Sequence, residues 1–301
     1  MPRQSVRSVN RHFIVVLFFL FANACPRCLH PLFTATVGRL IYRCMKRTAA
    51  VVRQNLATIT GLPADHPEVR RLAVSTFCHY GHYLFDYMLM YRINKENKDR
   101  FVSAEPGREK IPACLADGKG VLLVTPHLGN WELGGIVLSW LGCGISVLTY
   151  REEDEALNRM RERFRARRGI KSIYIDPQQD SLRSAVETIQ ALRRNEVVAL
   201  LADRDSPTEN VEVRFFGRKV RLPAGIGYLA LLSGAPLVPV FVVLERDRRY
   251  VGLVEDPIRI VAGEGDRAAA VQEGMQQLAA VFERYVARHP DQWYNFYPYW
   301  G

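Results

Sequence analysis

Gly120-Val-Leu-Leu-Val-Thr125-Pro-His-Leu-Gly-Asn-Trp-Glu132-Leu-Gly-Gly135 passes from one periodicity to another within a few residues. Val121–Val124 is apolar at every position and bounded by Gly120 and Pro126. A run this short and uniform reads as a strand buried on both faces, as in a parallel sheet. Pro126, Gly129 and Asn130 then supply a turn. Pro126 limits the backbone, Gly129 relaxes it and Asn130 is a good helix N-cap. Residues 131–141 follow as a helix.

The same alternation continues on both sides. Gly144–Tyr150, Ile170–Ile175 and Glu196–Ala202 read as strands, separated by a charged helix at 152–168 and a helix at 179–195. Val211–Phe216 is a further strand, and Pro223 opens a helix to about Ser233, as a first-turn proline can. Leu237–Leu244 and Tyr250–Glu255 look like a hairpin, and a last helix occupies 266–288. Upstream, Val69, Leu72, Phe77, Tyr80, Leu84, Tyr87, Met88 and Tyr91 recur at helical spacing and predict a long helix over 67–92. Residues 94–112 are polar, with Pro106-Gly107 as a break. This order predicts an α/β fold: a single mixed, largely parallel sheet flanked by helices. Residues 53–301 form the domain, and 1–52 form a membrane-anchoring helical segment.

Composition agrees with that reading. The chain has 301 residues, 48% hydrophobic and 24% charged, which excludes a disordered or low-complexity protein. No run of 18 or more apolar residues exists, which excludes a multi-pass membrane protein. The net charge of +10 is uneven: residues 1–53 hold nine Lys or Arg and no acid, and the first acid is Asp65. These cations are interleaved with Phe, Leu, Ile and Val. That mixture fits an anionic membrane surface better than nucleic acid.

The apolar stretch Phe13–Ala22 rises about 15 Å as a helix, roughly half of a hydrocarbon core. It reads as a secretory signal peptide ending near Ala22-Asn23-Ala24, as an uncleaved anchor, or as a buried helix. The dense basic segment after it favours retention on the cytoplasmic side. Six cysteines are scattered, and only Cys25-Pro-Arg-Cys28 has ligand-like spacing. One such pair without a second makes a weak zinc or redox case, so no metal is expected.

The chemistry gathers at the strand-to-helix turn, where ligands collect in open α/β sheets. His127 and Glu132 would point about 140° apart on a continuous helix. They meet only if His127 lies in the turn and Glu132 in the first helical turn. A carboxylate on one imidazole nitrogen fixes the tautomer and makes the other nitrogen a general base for a hydroxyl. No Gly-x-Ser-x-Gly elbow or placed cysteine nucleophile is present, which fits direct attack by the activated hydroxyl. Amides of the turn can serve a developing oxyanion, and Arg151 at the end of the second strand either joins them or binds a substrate phosphate. Asp203 and Arg204 follow the strand Glu196–Ala202 and face the same rim.

His127-Leu-Gly-Asn-Trp-Glu132 resembles the His-x-x-x-x-Glu signature of the lipid A late acyltransferases, within the wider glycerolipid acyltransferase superfamily. The ordered set is what makes the resemblance specific. Arg53-Gln-Asn-Leu56, Thr149-Tyr-Arg151, Asp203-Arg-Asp205, Val213-Arg-Phe-Phe-Gly217 through Pro223-Ala-Gly225, Gly234–Pro239 and Pro290-Asp-Gln-Trp293 follow the family's order over about residues 51–298. Arg204 stands where the family has Gln. The aromatic end Tyr294–Trp300 replaces a basic one. The resemblance implies transfer of a fatty acyl chain from an acyl carrier protein, or from acyl-CoA, to a hydroxyl of a lipid A precursor. No cofactor is implied beyond the donor. His127 and Glu132 would be catalytic, and Asn130, Trp131, Arg151, Asp203 and Arg204 substrate-binding. The location implied is the cytoplasmic face of a bacterial inner membrane. The same chemistry on another lipid, sugar or pigment acceptor is the alternative. A non-catalytic membrane- or nucleic-acid-binding protein is a weaker one, because a pure binder has no use for the His127/Glu132 spacing.

Overall fold

The computed structural model describes residues 18–26, 29–151, 155–175, 181–262 and 266–300. Nine strands form between β1 (Val102–Ala104) and β9 (Tyr250–Val254) among these residues. At the centre is β2 (Val121–Thr125), buried at all five positions. It pairs in parallel with β5 (Val197–Leu201) on one side and β8 (Leu237–Leu244) on the other. β3 (Ile145–Tyr150) and β4 (Ile170–Ile175) extend the sheet beyond β5, again in parallel. The order is β1-β9-β8-β2-β5-β3-β4; β9 runs antiparallel to β8, and β1 runs parallel to β9.

Both faces of the sheet are covered, which is why the central strands are apolar without alternation. Leu122, Val124, Val198, Leu200, Leu237 and Phe241 belong to a core shared with α8 (Ala224–Ser233) and α9 (Arg267–Arg288). Val121, Leu123, Val197 and Val238 join a second core with Ile111 and Cys114 of α4 (Lys110–Leu115). α5 (Trp131–Leu138), α6 (Glu155–Ala166) and α7 (Ser181–Arg193) are the crossover helices.

Two strands lie outside the sequence reading. β7 (Arg218–Pro223) pairs with β6 (Asn210–Phe215) in a separate hairpin. Its basic alternation, Arg-Lys-Val-Arg-Leu-Pro, hides the strand because only Val220 and Leu222 turn inward. Pro223 therefore ends a strand and caps α8 rather than opening it. β1 is three residues long with one buried, too short for a periodic signal.

Residues 18–24 are helical, followed by α1 (His30–Cys44), α2 (Lys46–Thr60) and α3 (Pro67–Leu89). α2 runs through residues 52 and 53 without a break and buries Ala49, Val52, Asn55 and Leu56. Among the described residues no helix is long and apolar enough to cross a membrane. The start of the apolar stretch, Phe13–Leu17, and Cys28 lie outside the described residues.

Candidate active site

β2 and β5 leave the sheet side by side. Thr125 stands opposite Leu201, and the Ala202 amide donates to the Thr125 carbonyl at 3.0 Å. His127 comes two residues after one strand and Asp203 two residues after the other, so the register alone brings them together. The His127 Nδ1–H donates to Asp203 Oδ1 at 2.6 Å, and the His127 amide donates to Oδ2 at 3.0 Å. The Trp293 indole and the Asn295 amide donate to the same Oδ2 at 2.8 and 3.4 Å. Asp203 is 1% exposed. Burial alone would push its carboxyl up. The His127 charge and hydrogen bonds, with the Arg204 charge, outweigh that and hold it well below the usual carboxylate range. With Nδ1 occupied, the Nε2 lone pair of a neutral His127 remains for a substrate proton.

Glu132 has a different partner from the one its spacing suggests. His127 does lie in the turn and Glu132 in the first turn of α5, as the contact required. Gly129 then redirects the chain at φ +64°, a conformation that favours glycine. A Cβ there would sit 2.0 Å from the Val242 carbonyl oxygen. The result turns His127 toward β5 and Glu132 toward α6. Glu132 Oε1 accepts from Arg165 Nη2 at 3.1 Å; Arg165 is buried and Glu132 mostly so. The carboxylate on the imidazole is therefore Asp203.

The other expected residues are also placed differently. Asn130 is fully buried; its side-chain Oδ1 accepts from the Leu133 amide at 3.1 Å and caps α5. Behind it the Tyr250 hydroxyl donates to Asp86 at 2.8 Å. Arg151 is not beside β2, because β5 stands between β2 and β3. Its guanidinium lies 4.3 Å from the Tyr174 ring centre. Arg204 ties down the C-terminal segment, donating to the Tyr294 carbonyl at 3.1 Å and to Asn295 at 3.2 Å. The amides of Leu128, Gly129 and Asn130 are spent on the carbonyls of Pro126, Gln292 and Val242, so they are not free oxyanion donors.

Trp131 does stand beside His127, with ring centres 5.3 Å apart. Tyr83 packs on Trp131 at 4.8 Å, and Tyr80 on Tyr294 at 5.2 Å, giving an aromatic wall between α3 and the C-terminal segment. Burial pushes the Tyr83 and Tyr294 hydroxyls well up, with Glu132 and Asp291 respectively as the next causes. The sequence reading missed Trp293, Asn295, Arg165 and Tyr83 as parts of the site. The spacing of Tyr80, Tyr83 and Tyr87 on one helical face was the available signal. Among the described residues no three His, Cys, Asp or Glu side chains gather as a metal site.

A hydroxyl base at the carboxyl end of a parallel sheet, held by a buried carboxylate and walled by aromatic rings, suits group transfer to an alcohol. Comparison with known proteins gives the class. Residues 3–301 match the family of bacterial lipid A biosynthesis acyltransferases, and the chain belongs to that family. It is 32% identical over 255 residues to the phosphatidylinositol mannoside acyltransferase of Mycobacterium tuberculosis (strain ATCC 25618 / H37Rv), covering 83% of this chain and 76% of that protein. It is 30% identical over 205 residues to the lipid A biosynthesis lauroyltransferase of Escherichia coli (strain K12), covering 67% of this chain and 64% of that one. The protein is an acyltransferase.

Proposed function

We propose that the protein moves a fatty acyl chain from an acyl carrier protein thioester to a hydroxyl of a membrane lipid, at the cytoplasmic face of a bacterial inner membrane. The bond between His127 Nδ1 and Asp203 carries the reading. Nε2 takes the acceptor hydroxyl proton as the oxygen attacks the thioester carbonyl. The tetrahedral intermediate collapses, the carbon–sulfur bond breaks, and the thiolate takes the proton back from His127. The products are an ester and a free thiol, with no acyl-enzyme. No cysteine or serine side chain is hydrogen-bonded to His127 among the described residues, which supports direct attack. Acyl-CoA is the competing donor.

The acceptor we propose first is a lipid A precursor, at a sugar hydroxyl or at an ester-linked hydroxyacyl chain. The similarity to phosphatidylinositol mannoside acyltransferases extends over more of the chain than that to the lauroyltransferase. It favours a sugar hydroxyl of a glycosylated phospholipid as the second reading.

The test is acyl transfer in detergent. Labelled acyl carrier protein is offered with a tetra-acylated lipid A precursor or with a phosphatidylinositol mannoside, using wild type and His127→Ala. His127-dependent transfer to the first supports the first reading, and transfer to the second only moves the acceptor. His127-dependent thioester hydrolysis without transfer leaves the catalyst standing and both acceptors refuted. A folded wild type that does neither refutes the activity.

A further inference from the structure

Asn55 is a polar residue on the buried face of α2. It is 5% exposed, and its neighbours Val52 and Leu56 pack with Phe77 of α3 in an apolar cluster. A buried amide needs hydrogen-bond partners. Those of Asn55 all belong to the far end of the chain. Its Nδ2 donates to the carbonyls of Asn295 at 3.0 Å and Tyr297 at 2.9 Å, and its Oδ1 accepts from the Tyr299 amide at 3.2 Å. These are backbone groups, so Asn55 sets where the C-terminal segment lies.

Two of the three residues so held reach Asp203. Asn295 donates from its side chain to Asp203 Oδ2 at 3.4 Å, and its Oδ1 accepts from Arg204 Nε at 3.2 Å. The Tyr299 hydroxyl donates to the Asp203 carbonyl at 2.5 Å. The upstream end of the segment is fixed separately. Gln292 pairs with both backbone groups of Leu244 at 2.8 Å, and its own carbonyl accepts from the Gly129 amide at 2.9 Å. The Tyr294 amide donates to the His127 carbonyl at 2.8 Å. Residues 292–294 are thus tied to the His127 turn without help from α2. Beyond them, Phe296 packs on Phe77 and Tyr80, and Asn55 brings the chain back so that Tyr299 meets Asp203. Without Asn55 the pairing at 292–294 would survive, but the placement of Asn295 and Tyr299 would not.

We propose that Asn55 is a positioning residue of the acyltransferase. Acting through the backbones of Asn295 and Tyr299, it sets the Asp203 carboxylate against His127 Nδ1. It touches no reacting atom, and no hydrogen bond joins it to Asp203 or His127 among the described residues. The bond it protects is short, 2.6 Å from Nδ1 to Oδ1. A misplacement of about 1 Å at such a site can cost ~10²-fold in rate. The proposal rests on the reading of His127, held by Asp203, as the base.

Two variants of the full-length chain test it, with thermal melts confirming the fold. Asn55→Ser removes the amide; Tyr299→Phe keeps the ring and removes only the hydroxyl on Asp203. The first readout needs no substrate. It is the downfield proton NMR signal of the His127 Nδ1–H, identified by its loss in His127→Ala, and both variants should shift or broaden it. The second is acyl transfer from labelled acyl carrier protein to the tetra-acylated lipid A precursor and to phosphatidylinositol mannoside. Asn55→Ser should lower kcat by ~10–10²-fold and Tyr299→Phe by roughly fivefold, with KM for the carrier protein unchanged. In an Asp203→Asn background each should cost less than about twofold, because the carboxylate they place is gone. A merely structural role would cost the same in both backgrounds, and that result would overturn the proposal. So would a folded Asn55→Ser protein with the wild-type signal and kcat, or one in which only KM rises. Should Asn55→Ser not fold, Tyr299→Phe decides: a wild-type signal and kcat there overturn the proposal, and the expected changes support it. A wild type that acylates neither acceptor refutes the proposed function, and the NMR signal then decides the positioning role by itself.

Discussion

Glu132, in the first turn of α5 and partly buried, and Asp203, just past β5 and fully buried, are both carboxylates at the carboxyl end of the sheet. Their partners divide their work. Glu132 faces the guanidinium of Arg165, a group that offers donors and no acceptor. That pair fastens α5 to α6, and Arg165 also reaches Ser172 of β4 at 3.4 Å. Asp203 faces the imidazole of His127, whose second ring nitrogen is left open. Four donors hold Asp203 in place, two of them from the C-terminal segment. The difference teaches that a carboxylate's role is set by the group it binds, not by its distance in sequence from a histidine.

The widest separation between the two regions should be kinetic. Asp203→Asn lowers the rate of acyl transfer by ~10²–10⁴-fold, as expected for a base held in the wrong tautomer. His127→Ala falls in the same range, and the double variant loses little more than either single, because the two act as one unit. Single-turnover rates check this, and multiplying losses would break the unit apart.

Glu132→Gln should show mainly in stability. It leaves Arg165 buried without its counter-charge, at a cost of about 3–5 kcal/mol in urea denaturation. Glu132→Leu/Arg165→Met should recover most of that. A Glu132→Gln protein as stable as wild type but inactive would move Glu132 into the chemistry.

Trp293→Phe keeps the ring and removes one donor from Asp203. We expect kcat to fall roughly tenfold with KM unchanged, in line with the loss of a hydrogen bond to a charged group. A change in KM alone would place Trp293 at the substrate instead.

The smallest effect concerns acid. The folded Asp203 carboxyl lies below its ordinary value of 3.8, so its contribution to stability is present above that value. It is lost as pH falls through the folded pKa. The stability difference between wild type and Asp203→Asn should therefore shrink as pH drops below about 4 in chemical denaturation. A constant difference would mean that Asp203 gains no favourable charge interaction in the folded state.

Much of this architecture was legible in the sequence. The uniform apolar runs at 121–124 and 197–201 announce strands buried on both faces, and Gly129 with Asn130 announces the turn between β2 and α5. The His127–Asp203 contact was not legible, because it depends on β5 lying beside β2. Chain order puts β3 and β4 between them, and register across a crossover leaves no local signal. For the same reason Arg151 was expected next to the site. Trp293 and Asn295 stand at the far end of the chain, and their approach to Asp203 depends on the whole fold. Local spacing favoured Glu132, and only the direction imposed at Gly129 separates it from the imidazole.

The comparison that tests the account most directly is acyl transfer by Asp203→Asn beside Glu132→Leu/Arg165→Met, at saturating donor and with folding verified. The account predicts that the first falls close to His127→Ala while the second keeps a rate far above both. An active Asp203→Asn enzyme together with a folded but inactive Glu132→Leu/Arg165→Met enzyme would contradict it.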